Sequence, residues 1–237
     1  MKLISIIILV ILYSSVSLGS VENNYKTLEL KTENKWMCGK IVTETFVDKG
    51  GRQHPEIQEY YFVHFNKKYF IKISESEFLG SLADYKNSYA RIHATVKSGL
   101  WDGNDPNMQS RIGKYLVINH IERVEIPEKL LFIDQNNNSY EISPDLIKYI
   151  PIKPAESSSG IYSGGDSKEV KIGTDDFMNL FFLAENALNN GQLHLIKRIK
   201  TSSVIKIVYA ETESNAIIID SPEIQAFFTF LKKLLSN

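Results

Sequence analysis

Between residues 37 and 124 the apolar side chains of this 237-residue chain come in short runs of period two, broken once by a run of helical period. That order constrains the fold more than any other feature. Residues 37–46 (MCGKIVTETF) are rich in β-branched side chains and stop at the turn Asp48-Lys49-Gly50-Gly51. Residues 59–65 (EYYFVHF) and 69–74 (YFIKIS) follow as a hairpin around Asn66-Lys67-Lys68. Over residues 76–86 the alternation is lost, and Phe78, Leu79, Leu82 and Tyr85 fall at the spacing of one short helix. Residues 89–97 (YARIHATVK) and 114–124 (KYLVINHIERV) then supply two more strands, separated by a long loop.

Three strands, a helix and two strands is the order of the OB-fold, a partly open Greek-key barrel. Alternation along the fourth strand sends Ala90, Ile92, Ala94 and Val96 inward, and small residues among larger ones suit a tapering barrel. Tyr89, Arg91, His93, Thr95 and Lys97 then point outward. In the second strand both faces are aromatic, Tyr61, Val63 and Phe65 alternating with Tyr60, Phe62 and His64, so one of them needs a cover or a ligand. Tyr60, Phe62, Arg91 and His93, with Trp101 in the loop before the last strand, form the expected ligand-binding surface. The span 36–125 resembles the exported OB-fold proteins of the bacterial cell envelope. Its opening Gly39-Lys40-Ile41-Val42-Thr43-Glu44-Thr45-Phe46 is similar to the first strand of some uncharacterised envelope families. The resemblance implies stress tolerance or ligand binding rather than catalysis.

Ahead of the barrel, Lys2, the apolar run 3–12 and the small residues Ser17 and Gly19 have the layout of a secretory signal peptide cut before Ser20. The run is short for a bilayer span, which takes roughly 20 residues. Residues 1–19 are therefore expected to be removed and the product to be secreted or periplasmic, without a transmembrane anchor. Loss of Lys2 leaves 26 basic residues against 28 acidic ones. Nucleic acid is disfavoured as a partner, because phosphate binding leans on a basic excess. Cys38 is the single cysteine, so no intrachain disulfide can form and stability must come from apolar cores. Its neighbours Trp36, Met37 and Ile41 mark it as a buried strand thiol.

A second unit is expected after Pro127. Residues 130–134 and 139–142 form a hairpin pattern around Asn136-Asn137-Asn138, and 144–154 with its prolines reads as a linker leading into the loop-like 157–165 (SSSGIYSGG). The boundaries are then 36–125 for the barrel, 126–165 for hairpin and linker, and 166–237 for a small α+β domain. In that domain a strand at 169–172 precedes a helix capped by Thr174, with Asp175 and Asp176 in its first turn and a stop at Asn190-Gly191. Strands at 204–209 and 216–220 follow, and Ser221-Pro222 opens a terminal helix. The fold class is thus mainly β, α+β, with a five-stranded OB-like barrel and two helices on antiparallel strands.

Chemical motifs are sparse. His64, His93 and His120 fall on strands, but the two that alternation places, His64 and His93, have no carboxylate or cysteine at ligand spacing, and His54 and His194 have no partner in sequence, so no metal is expected. Loop 101–107 looks like a calcium loop, but Asn107 and Gly113 occupy the places where an EF-hand needs glycine and glutamate. After residues 157–165 the lysine and Ser/Thr of a phosphate-binding loop do not follow at the required spacing and no helix start comes straight after, and Ser163-Gly164-Gly165 lacks the Gly-x that opens a nucleophile elbow. Asn137-Asn138-Ser139 is the single glycosylation sequon. No catalytic residue and no cofactor are expected. The leading reading is an exported binding protein holding a protein or glycan on the outer barrel face. A stress-protective or toxin-immunity protein is the first alternative, and a hydrolytic enzyme with convergent polar groups is the second.

Overall fold

The computed structural model describes residues 33–100 and 111–236, and the span Thr32–Asn237 is one compact unit. It is mainly β, with two α-helices. Five strands build its first half: β1 (Glu33–Val47), β2 (Gln53–His64), β3 (Lys67–Ile71), β4 (Tyr89–Leu100) and β5 (Ile112–Arg123). They close a barrel in the order β1-β2-β3-β5-β4, in which β3 and β5 run parallel and the other pairs antiparallel. Residues 1–19, expected to be a signal peptide, and loop 101–107, with Trp101, lie outside the described residues.

Alternation places the inner face of β4 as expected: Ala90, Ile92 and Ala94 are fully buried, with Met37, Ile41, Leu116 and Ile118 around them. The β1–β2 corner is set by Asp48, whose Oδ1 accepts the Gly50 and Arg52 N–H groups at 2.8 and 2.9 Å, and by Gly51 at φ +82°. Between β3 and β4 the expected helix is replaced by two 3-10 turns, Ile73–Glu75 and Leu82–Tyr85. Gly80, at φ +101°, breaks the run. The apolar spacing still does its work, since Leu82 is buried in the barrel core with Phe78 and Tyr85 against it.

The second half is a seven-stranded antiparallel sheet carrying two helices. Its strands are β6 (Lys129–Ile133), β7 (Ser139–Ile142), β8 (Leu146–Ile150), β9 (Lys168–Lys171), β10 (His194–Leu195), β11 (Ser202–Val208) and β12 (Glu213–Ile219), in the order β10-β12-β11-β6-β7-β8-β9. Strand β8 corrects the linker expected at 144–154. Its prolines sit outside the strand, Ser143 and Asp145 form the turn before it, and Ile147 is fully buried. Helix α1 (Thr174–Asn189) starts one residue earlier than expected, with the extended Gly173 at the cap position and no side-chain cap. Helix α2 (Pro222–Leu235) is capped by Ser221, whose Oγ accepts the Ile224 N–H, as its sequence implies.

One apolar core unites sheet and helices. Phe177, Phe181 and Ala184 of α1 and Phe227 and Leu231 of α2 cover Leu130, Phe132, Ile142, Ile205 and Ile218. Tyr89 and Val124 at the ends of barrel strands belong to the same core, and Cys38 is packed against it. The barrel and the sheet therefore share apolar contacts where β1 and β4 meet α1. No helix among the described residues is long and apolar enough to cross a membrane.

Candidate ligand cleft

The outward residues of β4 and β1 lie against α1, and the sequence pattern of each element explains the contact. Tyr89 is buried with its ring 6.4 Å from that of Phe182. Its hydroxyl donates to Asp175 in the first turn of α1, and Lys40 Nζ reaches the same carboxylate at 2.9 Å. These bonds hold the Asp175 carboxyl below its usual range, the Tyr89 hydroxyl contributing most. Two positions along β4, Arg91 forks between Glu122 of β5 at 2.5 Å and Glu185 of α1 at 2.6 Å. The two carboxylates hold its guanidinium charged despite partial burial.

Beside this ion pair a cleft of about 340 Å³ opens, lined by Trp36 and Cys38 of β1, His64 and Phe65 at the end of β2, and Glu185, Asn186 and Asn189 of α1. His64 Nδ1 lies 2.7 Å from the Cys38 carbonyl oxygen. A carbonyl only accepts, so Nδ1 carries the proton and Nε2 keeps the lone pair. Burial, with Lys35 and Lys67 nearby, lowers the His64 pKa and keeps the ring neutral. Burial also pushes the Cys38 thiol up to about 11. At neutral pH it is a protonated, weakly polar wall rather than a nucleophile.

Next to the cleft the barrel carries an aromatic platform. Trp36 pairs across strands with His93, their ring centroids 5.1 Å apart, and His120 of β5 meets the same indole edge-on at 5.6 Å. Trp36 is 54% exposed. Cross-strand register explains the group, since Trp36, His93 and His120 are consecutive partners on β1, β4 and β5. Indole face, guanidinium, carboxylate and two carboxamides thus border one concavity, which suits a ligand with an apolar face and several hydroxyls.

Of the five residues expected to bind ligand, Arg91 and His93 lie at this cleft or its platform. Trp101 lies outside the described residues. Tyr60 and Phe62 are corrections: Phe62 is fully buried inside the barrel and Tyr60 packs against the same core. The cause lies on the neighbouring strand. Phe62 stands opposite the buried Ile41, and a Cβ on Gly39 would come within 2.8 Å of the Phe62 ring and 2.2 Å of the Val63 carbonyl oxygen. Gly39 therefore makes the space that Phe62 fills, a role a strand glycine commonly has. The outward aromatic of β2 is Tyr61, covered by the Arg111–Glu59 ion pair at 2.8 Å.

Sequence reasoning did not find Trp36, Glu185, Asn186 or Asn189 as site residues. The one-turn spacing of Glu185 and Asn189 on α1, with Asn186 beside them, was visible, but their target on the barrel was not. His54 is a further correction, because it does have partners: Asp48 and Glu56 approach its two ring nitrogens at 3.1 Å each and raise its pKa. Among the described residues no three His, Cys, Asp or Glu side chains converge as a metal would need. Comparison of the chain with family models, curated proteins and solved structures returned no match.

Proposed function

We propose that this chain is an exported binding protein without catalytic activity, and that its ligand is a glycan held between the outer barrel face and α1. In this reading residues 1–19 are a cleaved signal peptide and the product is secreted or periplasmic. The barrel is OB-like, a reading supported by the strand order β1-β2-β3-β5-β4 and by the parallel pairing of β3 with β5. Arg91, His93 and Trp101, from the expected surface, are retained as ligand residues, and Trp36 joins them.

The observation that carries the proposal is the half-exposed Trp36 face beside a cleft bordered by Arg91, Glu185, Asn186 and Asn189. A sugar ring presents C–H groups to an indole and hydroxyls to amide, carboxylate and guanidinium groups. The protonated Cys38 thiol fits a binding wall better than a nucleophile.

Isothermal titration of the protein, both tryptophans in place, with soluble neutral and anionic oligosaccharides should show saturable binding that Trp36→Ala abolishes while circular dichroism stays unchanged. If no oligosaccharide binds, the glycan reading fails.

A further inference from the structure

A second surface, sharing no residue with the Trp36 cleft, lies where three segments of the seven-stranded sheet converge: the turn before β7, the loop between β8 and β9, and the turn before β11. They border a polar cleft of about 580 Å³ lined by residues that include Asn136, Asn137, Ser157, Ser159, Tyr162 and Lys200. Both loops present bulky aliphatic side chains to solvent. Ile161 is 85% exposed, and Ile196 and Ile199 are fully and half exposed at 105% and 48%. Exposed lysines 197 and 200 alternate with the latter two.

This presentation is built into the backbone. Gly160, at φ +69°, reverses the first loop, and Ser159 Oγ accepts the N–H groups of Ile161 and Tyr162 at 3.4 and 3.1 Å. Asn138 Nδ2 reaches the Tyr162 hydroxyl at 3.3 Å and ties the loop to the hairpin turn. In the second loop Arg198 donates to the Asp134 carbonyl oxygen at 2.5 Å, and Ser202 closes the turn on Ile199 through bonds in both directions. Arg198 is thereby fixed inward while its neighbours in sequence stay outside. Charge within the second loop is one-sided, and its acidic neighbour Asp220, joined to the Thr201 carbonyl through its own N–H, has its carboxylate engaged by Gln225. Residues 196–201 hold no acid, and Glu156, the only carboxylate of 153–165, is turned back onto the Lys153 N–H at 3.3 Å.

We infer that this end of the sheet docks on an anionic lipid surface, with Ile161, Ile196 and Ile199 entering the interface, Lys197 and Lys200 facing the headgroup phosphates, and the hydroxyl-lined cleft receiving a headgroup. Separate exposed aliphatic side chains on two loops suit a fluid interface, whereas a protein partner needs a continuous complementary face. Lysines beside them match a negative leaflet, each strengthening binding about fivefold near its surface. The inference is independent of the glycan reading.

The test is co-sedimentation of the chain from Ser20 onward, which retains the whole compact unit, with phosphatidylcholine vesicles and with vesicles containing phosphatidylglycerol. The wild-type chain should bind the anionic vesicles more tightly and lose binding as salt is raised. Lys197→Glu with Lys200→Glu should weaken binding to anionic vesicles by about 20-fold or more. Ile161→Ser with Ile196→Ser should weaken it with circular dichroism unchanged. Equal binding to both vesicle types, or variants that sediment like the wild type, would overturn the inference. So would a dimer in solution that Ile196→Ser splits, which would assign the surface to a second copy of the chain.

Discussion

Arg91 on β4 and Glu185 on α1 meet 2.6 Å apart although 94 residues separate them, and the same guanidinium reaches Glu122 on the neighbouring barrel strand. One side chain thus joins the barrel to the helix that roofs the cleft. Removing it would leave the Glu185 carboxylate, 16% exposed, without its cation.

A double-mutant cycle measures that link. Arg91→Ala and Glu185→Ala should each destabilise by about 1.5 to 3 kcal/mol in urea unfolding, as lost hydrogen bonds to charged groups do. The double variant should cost less than their sum. Strict additivity would show that the two side chains act separately.

Core and surface positions on the barrel should respond differently. Phe62→Ala should cost about 3 to 5 kcal/mol and Ile92→Ala about 2 to 5, because both side chains are fully buried. Trp36→Ala should cost under about 0.5 kcal/mol beyond its lost stacking on His93. Chemical denaturation of the three variants checks the ranking, and a stable Phe62→Ala protein would place that ring outside the core.

Gly39→Ala should be among the most damaging single-methyl changes in the chain. Its Cβ meets backbone at 2.2 Å, which no side-chain rotation relieves, so a loss of about 3 kcal/mol is expected. Ala at Gly191, where no atom lies within 4 Å of the added carbon, is the control and should leave the thermal midpoint nearly unchanged.

Two histidines should give opposite pH dependences. His64 has a lowered pKa in the folded chain, so the unfolded chain binds its proton first and stability falls as pH drops below about 6.5. His54 has a raised pKa: its contribution is full below 6.5 and is lost as pH rises through the folded value. Asp48 and Glu56, both lowered, contribute above their ordinary values of 3.8 and 4.5 and cease to do so as pH falls through their folded values. Thermal midpoints against pH should show His64→Gln flattening the loss on the acid side of 6.5 and His54→Gln removing stability mainly between about 4.5 and 6.5.

Much of the barrel was legible because period-two alternation is a local signal. Ala90, Ile92 and Ala94 needed only their own strand to be assigned inward. Phe62 was not legible from its strand, since β2 is aromatic on both faces and the deciding residue, Gly39, lies on another strand. Strand β8 was concealed by prolines at 144, 151 and 154 that flank it rather than interrupt it. Arg91 and His93 were placed on the outer face by alternation, but their partners Glu185 and Trp36 are brought to them by tertiary packing. Asp175 shows the same limit: it read as a favourable charge at a helix start and also accepts from Lys40 and Tyr89 on the barrel.

Cys38 lies in the first strand, whereas the helix that borders its cleft spans Thr174–Asn189. A chain that emerges from its N-terminus therefore presents its single thiol long before the roof exists. During that interval the sulfur has no second thiol within its own molecule to pair with and is open to thiols of other molecules. Completion of the fold, rather than a disulfide, is what packs Cys38 against the core and holds its thiol protonated, and the order of emergence makes the arrival of α1 the moment at which that protection begins.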